Sequence, residues 1–258
     1  MKITIVQTDI EWNKPDENLA HVEGLIASAP GSDVYVLPEM FNTGFVTQPS
    51  ALQKVTSEQA EAWMKKMAKG SNACIVGSVA TPVDGGYVNR CHLVTPDGKD
   101  ACYDKHHLFT YGGEDKTFKA GRERVETMCG DVRIRLLVCY DLRFPLWSRQ
   151  RRGAPYDVLV CVASWPESRI GAWRSLLRAR AIENQCYVVG VNRVGTDALC
   201  KYCGGSMIID PYGVELVACP DNTECSLTAT IDMERLRAFR CKFPVLEDAD
   251  NYSIEADA

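Results

Sequence analysis

Strand-like and helix-like segments alternate along most of this chain, which points to sheets and helices packed in layers and away from an all-helical or all-β fold. Candidate strands cover 2–7, 33–37, 74–79, 88–94, 101–103, 132–138, 157–163, 186–192, 206–209, 214–218 and 227–231. Eleven strands are more than one typical sheet holds, so more than one sheet is expected. Turn chemistry at Asp84-Gly85-Gly86, Pro96-Asp97-Gly98 and Pro211-Tyr212-Gly213 joins several neighbours as hairpins, which excludes a purely parallel, doubly wound sheet. Helical spacing marks 13–29, with Pro15 near its start and Leu19, Val22, Leu25 and Ile26 on one face. Thr56 and Gln59 stand in capping-box spacing at the head of 56–69. A third helix, 168–185, carries Trp173, Leu176, Leu177, Ala181 and Ile182 as its apolar face, and a short fourth spans 233–239.

With 258 residues, no Pro/Gly/Ser-rich linker and no internal repeat, residues 1–258 read as one domain with an acidic tail from about 244. That tail carries Glu247, Asp248, Asp250, Glu255 and Asp257 and is expected to fray or to pack on a partner. Lys plus Arg is 29 against 34 Asp plus Glu, a net charge of −5, so the basic footprint of a nucleic-acid or anionic-membrane binder is missing. Twelve cysteines in a chain this long do not signal a stapled secreted scaffold. Met1 to Asp9 reads as a first strand and not as a signal peptide, so a cytoplasmic protein with reduced thiols is expected.

Three reactive side chains each end a candidate strand. Cys139 follows 132–138, in which Val132, Ile134, Leu136 and Val138 alternate with Arg133 and Arg135. The turn after it leads into a helix, whose N-terminus and nearby cations would lower a thiol pKa. Taken alone, a cysteine so placed is more commonly an inert buried thiol than a catalytic one. Glu39 stands after Val36-Leu37-Pro38, where Pro38 stops the strand, as a solvated loop acid or a preorganised general base. Lys105 follows Ala101-Cys102-Tyr103-Asp104, and the adjacent Asp104 also fits a plain surface charge.

Together these segments resemble the nitrilase, or carbon-nitrogen hydrolase, superfamily, whose signature is a Glu-Lys-Cys triad. The matching pieces are Leu37 to Phe41 with Thr43-Gly44-Phe45, Tyr103 to Phe109, Val138 to Pro145, and Ala179 to Gln185 with Val191-Asn192-Arg193. The resemblance implies a four-layer α-β-β-α sandwich, an α/β fold with two mixed sheets, whose subunits pair through their outer helices into a homodimer or higher homo-oligomer. Within the superfamily the chain resembles the omega-amidase branch at Cys139 to Pro145, Ser164-Trp165-Pro166 with Arg169 and Trp173, and Lys242-Phe243-Pro244. That branch hydrolyses the terminal amide of 2-oxoglutaramate and related dicarboxylic acid monoamides.

On this resemblance Cys139 is the nucleophile, Glu39 the general base and acid, and Lys105 with the backbone N–H of Tyr140 the oxyanion donors. A second glutamate expected in the following loop is Glu114, with Asp115 as its neighbour. The chemistry requires no metal or organic cofactor, only the amide and water. A substrate carboxylate calls for an arginine. Arg143 and Arg169 are the candidates, although Arg143 equally suits an ion pair with Asp141, and Arg169 a solvated surface. Trp165 either walls the pocket or belongs to the core. Other carbon-nitrogen substrates of the same triad, nitriles, N-carbamoyl compounds or deaminated peptide amides, are the alternative. An idle interaction module has no chemical need for all three triad residues.

Other signals carry less. Cys200-Lys201-Tyr202-Cys203 lacks the second knuckle of a zinc ribbon and reads as a loop entering a strand. His92, His106 and His107 form no H-x-x-x-H pair; His106 and His107 would point apart on a strand, with His107 near the site through Lys105. Gly112-Gly113 matches neither nucleotide-binding glycine pattern.

Overall fold

The computed structural model describes residues 1–48, 54–150, 153, 155–250 and 252–254. Its strands are β1 (Lys2–Gln7), β2 (Val34–Val36), β3 (Cys74–Val83), β4 (Gly86–Val94), β5 (Asp100–Asp104), β6 (Glu126–Cys129), β7 (Val132–Val138), β8 (Val158–Ala163), β9 (Tyr187–Asn192), β10 (Val194–Thr196), β11 (Lys201–Cys203), β12 (Met207–Ile209), β13 (Glu215–Ala218) and β14 (Cys225–Thr230). The helices are α1 (Pro15–Ala27), α2 (Lys54–Ser71), α3 (Pro145–Ser148), α4 (Ile170–Asn184) and α5 (Met233–Lys242).

Two six-stranded sheets form, in the orders β14-β1-β2-β3-β4-β5 and β13-β12-β9-β8-β7-β6, with β10 and β11 as a separate pair. Both are mixed: β1, β2 and β3 run parallel in one, and β7, β8 and β9 in the other, with antiparallel strands outside them. The period of two along each strand explains the layering. Ile3, Ile5, Val34, Val36, Val76 and Leu93 enter the core between the sheets. Their neighbours Val6, Tyr35, Ile75 and Val94 turn outward and pack with Leu19, Val22 and Ile26 of α1 and Trp63 and Met64 of α2. Trp173, Leu177 and Ala181 of α4 and Leu236 of α5 cover the second sheet. Gly190 lets α4 approach, since a Cβ there would lie 2.4 Å from Leu177 Cδ1. The result is the expected α-β-β-α order of layers.

Several local readings change. Strands β6, β10 and β11 were not expected, and Cys203 lies within β11 instead of on a loop. Helix α2 is already running at Lys54, so Thr56 sits inside its first turn and is not its cap. Ile182 is half exposed and does not join the buried face of α4. Cys74 and Cys129 form a disulfide, contrary to the reduced-thiol expectation, because β3 and β6 bring them together across the two sheets. The described part of the tail packs on its own chain: Leu246 is buried, Ile254 packs against the core, and the Tyr252 hydroxyl bonds the carbonyls of Leu146 and Arg149. Glu255 and Asp257 lie outside the described residues. Among the described residues no helix is long and apolar enough to cross a membrane.

Candidate active site

Strand direction decides which side chains meet. Strand β5 is antiparallel to β4, which is antiparallel to β3, so β5 runs parallel to β2 and ends at the same edge of its sheet. Strands β7 and β8 are parallel neighbours in the other sheet. The segments after β2, β5, β7 and β8 therefore supply Glu39, Lys105, Cys139 and Ser164.

Pro38 has no N–H to continue pairing, and Met40 adopts φ +45° while its N–H donates to Ser78 Oγ at 3.0 Å, which turns the chain at Glu39. Glu39 and Lys105 are fully buried. The Lys105 ammonium donates to Glu39 Oε1 at 3.0 Å and to Glu114 Oε2 and Oε1 at 2.9 and 3.2 Å. Glu114 is buried and Asp115 exposed, which settles which acid of that loop enters the site. The Phe109 N–H holds Glu114 Oε2 at 2.7 Å, and Ser164 N–H holds Glu39 Oε2 at 2.8 Å. Asn89 Nδ2 bridges both acids, at 2.8 Å to Glu39 and 3.3 Å to Glu114.

Cys139 retains partial exposure and sits at φ +48°, a strained conformation for a residue with a side chain, at the junction of β7 with a short 3-10 turn. Its thiol is pushed well above the usual range, first by burial and then by the Glu39 carboxylate, with Lys105 opposing. The expected lowering by a helix N-terminus does not occur. The turn spans Cys139–Arg143 and the helix after it only Pro145–Ser148, too short for an appreciable dipole. Burial alone would push Lys105 down, but Glu114, Glu39 and Cys139 outweigh it and hold the ammonium charged. Two carboxylates and one ammonium sum formally to −1. A thiolate beside them would add a further buried negative charge, which agrees with the upward push on the Cys139 thiol.

Asp141 braces this arrangement. It accepts from the Tyr103 hydroxyl at 2.7 Å, from His107 N and Nδ1 at 2.8 and 2.9 Å, and from Val138 N at 3.1 Å. One buried carboxylate thus ties residues two before and two after Lys105 to the residue before Cys139. Arg180 Nη2 holds the Leu142 carbonyl of the same turn at 2.6 Å.

The other sequence candidates are placed as follows. Tyr140 occupies the first turn after β7, where amide N–H groups lack helical partners, and its ring packs edge-on against Phe109 and Phe144. Arg143 is not the partner of Asp141. It lies over the Trp165 ring at 4.8 Å and has no carboxylate partner among the described residues. Trp165 is buried against Trp173, as the core reading has it, and carries that guanidinium on its ring. Arg169 lies over Phe109 and Tyr111, also without a carboxylate partner among the described residues, and its carbonyl accepts from Trp165 Nε1 at 2.9 Å. His106 and His107 are on a bend and not a strand, with ring centroids 4.5 Å apart. His107 stacks on Phe144 and bonds Asp141, so it supports the turn after Cys139. Asn89 was not singled out from the sequence, and Ser164 and Asn192, which clamps Trp165 N and O at 2.7 and 2.9 Å, stood in matching segments without an assigned role. Their one signal is a polar residue inside or just beyond an apolar strand.

The carbon-nitrogen hydrolase family model matches residues 2–241. The chain is 43% identical to the omega-amidase YafV of Escherichia coli K12 over 98% of both chains. It is 36% identical to the 2-oxoglutaramate amidase of Bacillus subtilis, over 95% of this chain and 96% of that one. Among solved structures, a CN-hydrolase superfamily protein of Xanthomonas campestris with an arsenic adduct in its active site is 38% identical. It superposes with a TM-score of 0.94 over 98% of each chain.

Proposed function

The chain belongs to the carbon-nitrogen hydrolase family and is an amidase of the nitrilase superfamily, and from that premise we propose that it is an omega-amidase acting on short dicarboxylic acid monoamides such as 2-oxoglutaramate. Cys139 attacks the amide carbon as Glu39 takes the thiol proton. The oxyanion forms against the Lys105 ammonium and the Tyr140 N–H, donors of a kind worth about 10²- to 10³-fold each in turnover. Glu39 passes its proton to the departing ammonia, leaving a thioester, and then activates the water that releases the acid. Glu114 holds the Lys105 ammonium alongside Glu39 and is a positioning residue.

The observation that carries the substrate assignment is Arg143, a guanidinium without a carboxylate partner among the described residues, resting on Trp165 beside the Ser164 that holds Glu39. An arginine so placed suits a carboxylate tail, and Arg169 stands second, its carbonyl fixed to the same tryptophan. The test follows ammonia from 2-oxoglutaramate and from an uncharged amide of equal length. Wild-type protein is expected to prefer 2-oxoglutaramate. Arg143→Ala is expected to raise its KM about 10-fold or more, as for a lost charge-assisted hydrogen bond of 1.5–3 kcal/mol, with little change for the uncharged amide. No release from folded wild type would remove this substrate and leave nitriles, N-carbamoyl compounds and peptide amides as the field.

We also propose pairing through the outer α4 and α5 layer. Ile182, Tyr212, Val214 and Phe243 are each at least half exposed there, and Tyr212 and Phe243 both flank Phe239. Sedimentation velocity is expected to show a dimer for wild type and monomer for Tyr212→Glu/Phe243→Glu. An unchanged dimer in that variant would place the interface elsewhere.

A further inference from the structure

On β4, Cys91 and Leu93 enter the core between the sheets, so His92 faces the other way, toward α2. His92 and Cys102 are register partners on β4 and β5, and Asp100, two residues before Cys102, shares their face. His92 Nδ1 lies 2.9 and 3.2 Å from the Asp100 oxygens and 3.6 Å from Cys102 Sγ. One ligand atom from each of the three falls within 4.8 Å of the others. The His92 side chain is 2% exposed, and its second ring nitrogen, Nε2, has no hydrogen-bond partner; it faces Glu61 Oε1 of α2 at 4.0 Å. We propose that His92 Nδ1, Asp100 and Cys102 form a binding site for zinc or a similar thiophilic divalent cation, separate from the Glu39-Lys105-Cys139 cluster, with water completing a tetrahedron.

A donor set of imidazole, thiolate and carboxylate suits zinc and excludes the all-oxygen preference of calcium or magnesium. Bonds of about 2.0–2.1 Å to nitrogen, 2.0–2.2 Å to oxygen and 2.3 Å to sulfur imply tetrahedral ligand separations of about 3.3 Å for N to O and about 3.6 Å for N to S. The observed 3.6 Å for Nδ1 to Sγ already fits. The Asp100 oxygens need only retreat by a few tenths of an ångström. A bound cation favours the thiolate form of Cys102. Binding releases the Cys102 proton to solvent and takes the Nδ1 lone pair, so the ring proton resides on Nε2, where Glu61 can accept it. Carboxylates orient metal-bound histidines in this manner, and the orphaned nitrogen acquires its partner. Arg90 on the same face is engaged by Asp104 at 2.7 and 2.9 Å and does not compete for Asp100. Asn89 and Lys105 lie on the same chain segments as the site, three residues from His92 and Cys102, so a cation here pins β4, β5 and α2 beneath the catalytic edge without entering the reaction.

The test uses chelator-stripped, full-length Cys139→Ala protein, which removes the reactive thiol as a competing ligand, titrated with Co²⁺ alone. The expected result is one equivalent bound, with a near-ultraviolet thiolate-to-cobalt charge-transfer band that Zn²⁺ abolishes. Cys102 is exposed, so Cys139→Ala/Cys102→Ser is expected to fold, to lose the band and to bind at least 10-fold more weakly. Glu61→Gln in the Cys139→Ala background is expected to keep the band and lose about 10-fold in affinity. Absence of stoichiometric binding by Cys139→Ala protein, or persistence of the band after Cys102→Ser, would overturn the site.

Discussion

Replacing Cys139 with alanine is expected to abolish ammonia release from 2-oxoglutaramate, with turnover falling on the order of 10⁵- to 10⁶-fold, as when other enzymes lose their nucleophile. The residue is partly exposed and already sits at φ +48°, so alanine inherits the backbone strain without adding to it. Alanine also removes a thiol that burial and Glu39 hold well above its usual range. The fold therefore loses nothing electrostatically. The expected melting temperature is within a few degrees of wild type, which separates loss of chemistry from loss of structure. Wild-type protein quenched during turnover should carry the acyl group on the peptide containing Cys139, and the variant none. Equal ammonia release from both proteins would overturn the thiol mechanism, whatever the substrate.

What could be read before the structure depended on whether the signal was local. The ends of β2, β5 and β7 were legible because each apolar alternation stops at a reactive side chain, and strand direction then carries those ends to one place. Strands β6 and β10 were not: Glu126-Thr127-Met128-Cys129 and Val194-Gly195-Thr196 lack the apolar run that marks the equally short Val34–Val36 of β2. The resemblance named Glu114, but loop pattern alone could not separate it from Asp115, because the two neighbours differ by burial. Asn89 sits in an apolar strand and looks like an interruption until its partner acids arrive from two other segments. Asp141 was weighed only as one possible ion-pair partner of Arg143, whereas its partners include Tyr103 and His107. His92 was judged by helical spacing, yet its companions lie across a strand pair, ten and eight residues on, where no short motif records them. Pairing of Cys74 with Cys129 depends on two sheets facing each other, a fact that cysteine counting does not contain.

Glu39→Gln is expected to separate the two tasks of the thiol, losing amide hydrolysis while gaining reactivity toward an alkylating agent. Glutamine keeps the carbonyl oxygen that can accept from Lys105 or from Asn89, and Lys105 remains paired with Glu114 at 2.9 Å, so the ammonium is not left bare. The buried charge of the cluster changes from −1 to zero. Glu39 raises the thiol and Lys105 lowers it, so removing the acid leaves the ammonium's influence less opposed and the thiolate becomes easier to form. Iodoacetamide needs only that thiolate. In wild type, labelling of Cys139 should be slow at neutral pH and climb as pH rises, since the thiol is held above its usual range. In Glu39→Gln the same curve should move to lower pH, giving faster labelling at pH 7. Hydrolysis needs more: a base for the thiol proton, an acid for ammonia and a base again for water. With none of these at position 39, turnover is expected to fall by about 10⁴-fold or more, since each positioned proton transfer contributes 10²- to 10⁴-fold. Measuring labelling rate and turnover on one preparation across pH checks both arms. Loss of turnover with labelling unchanged or slower would show that Glu39 does not set the state of the thiol, and retained turnover would assign the proton transfers to another group.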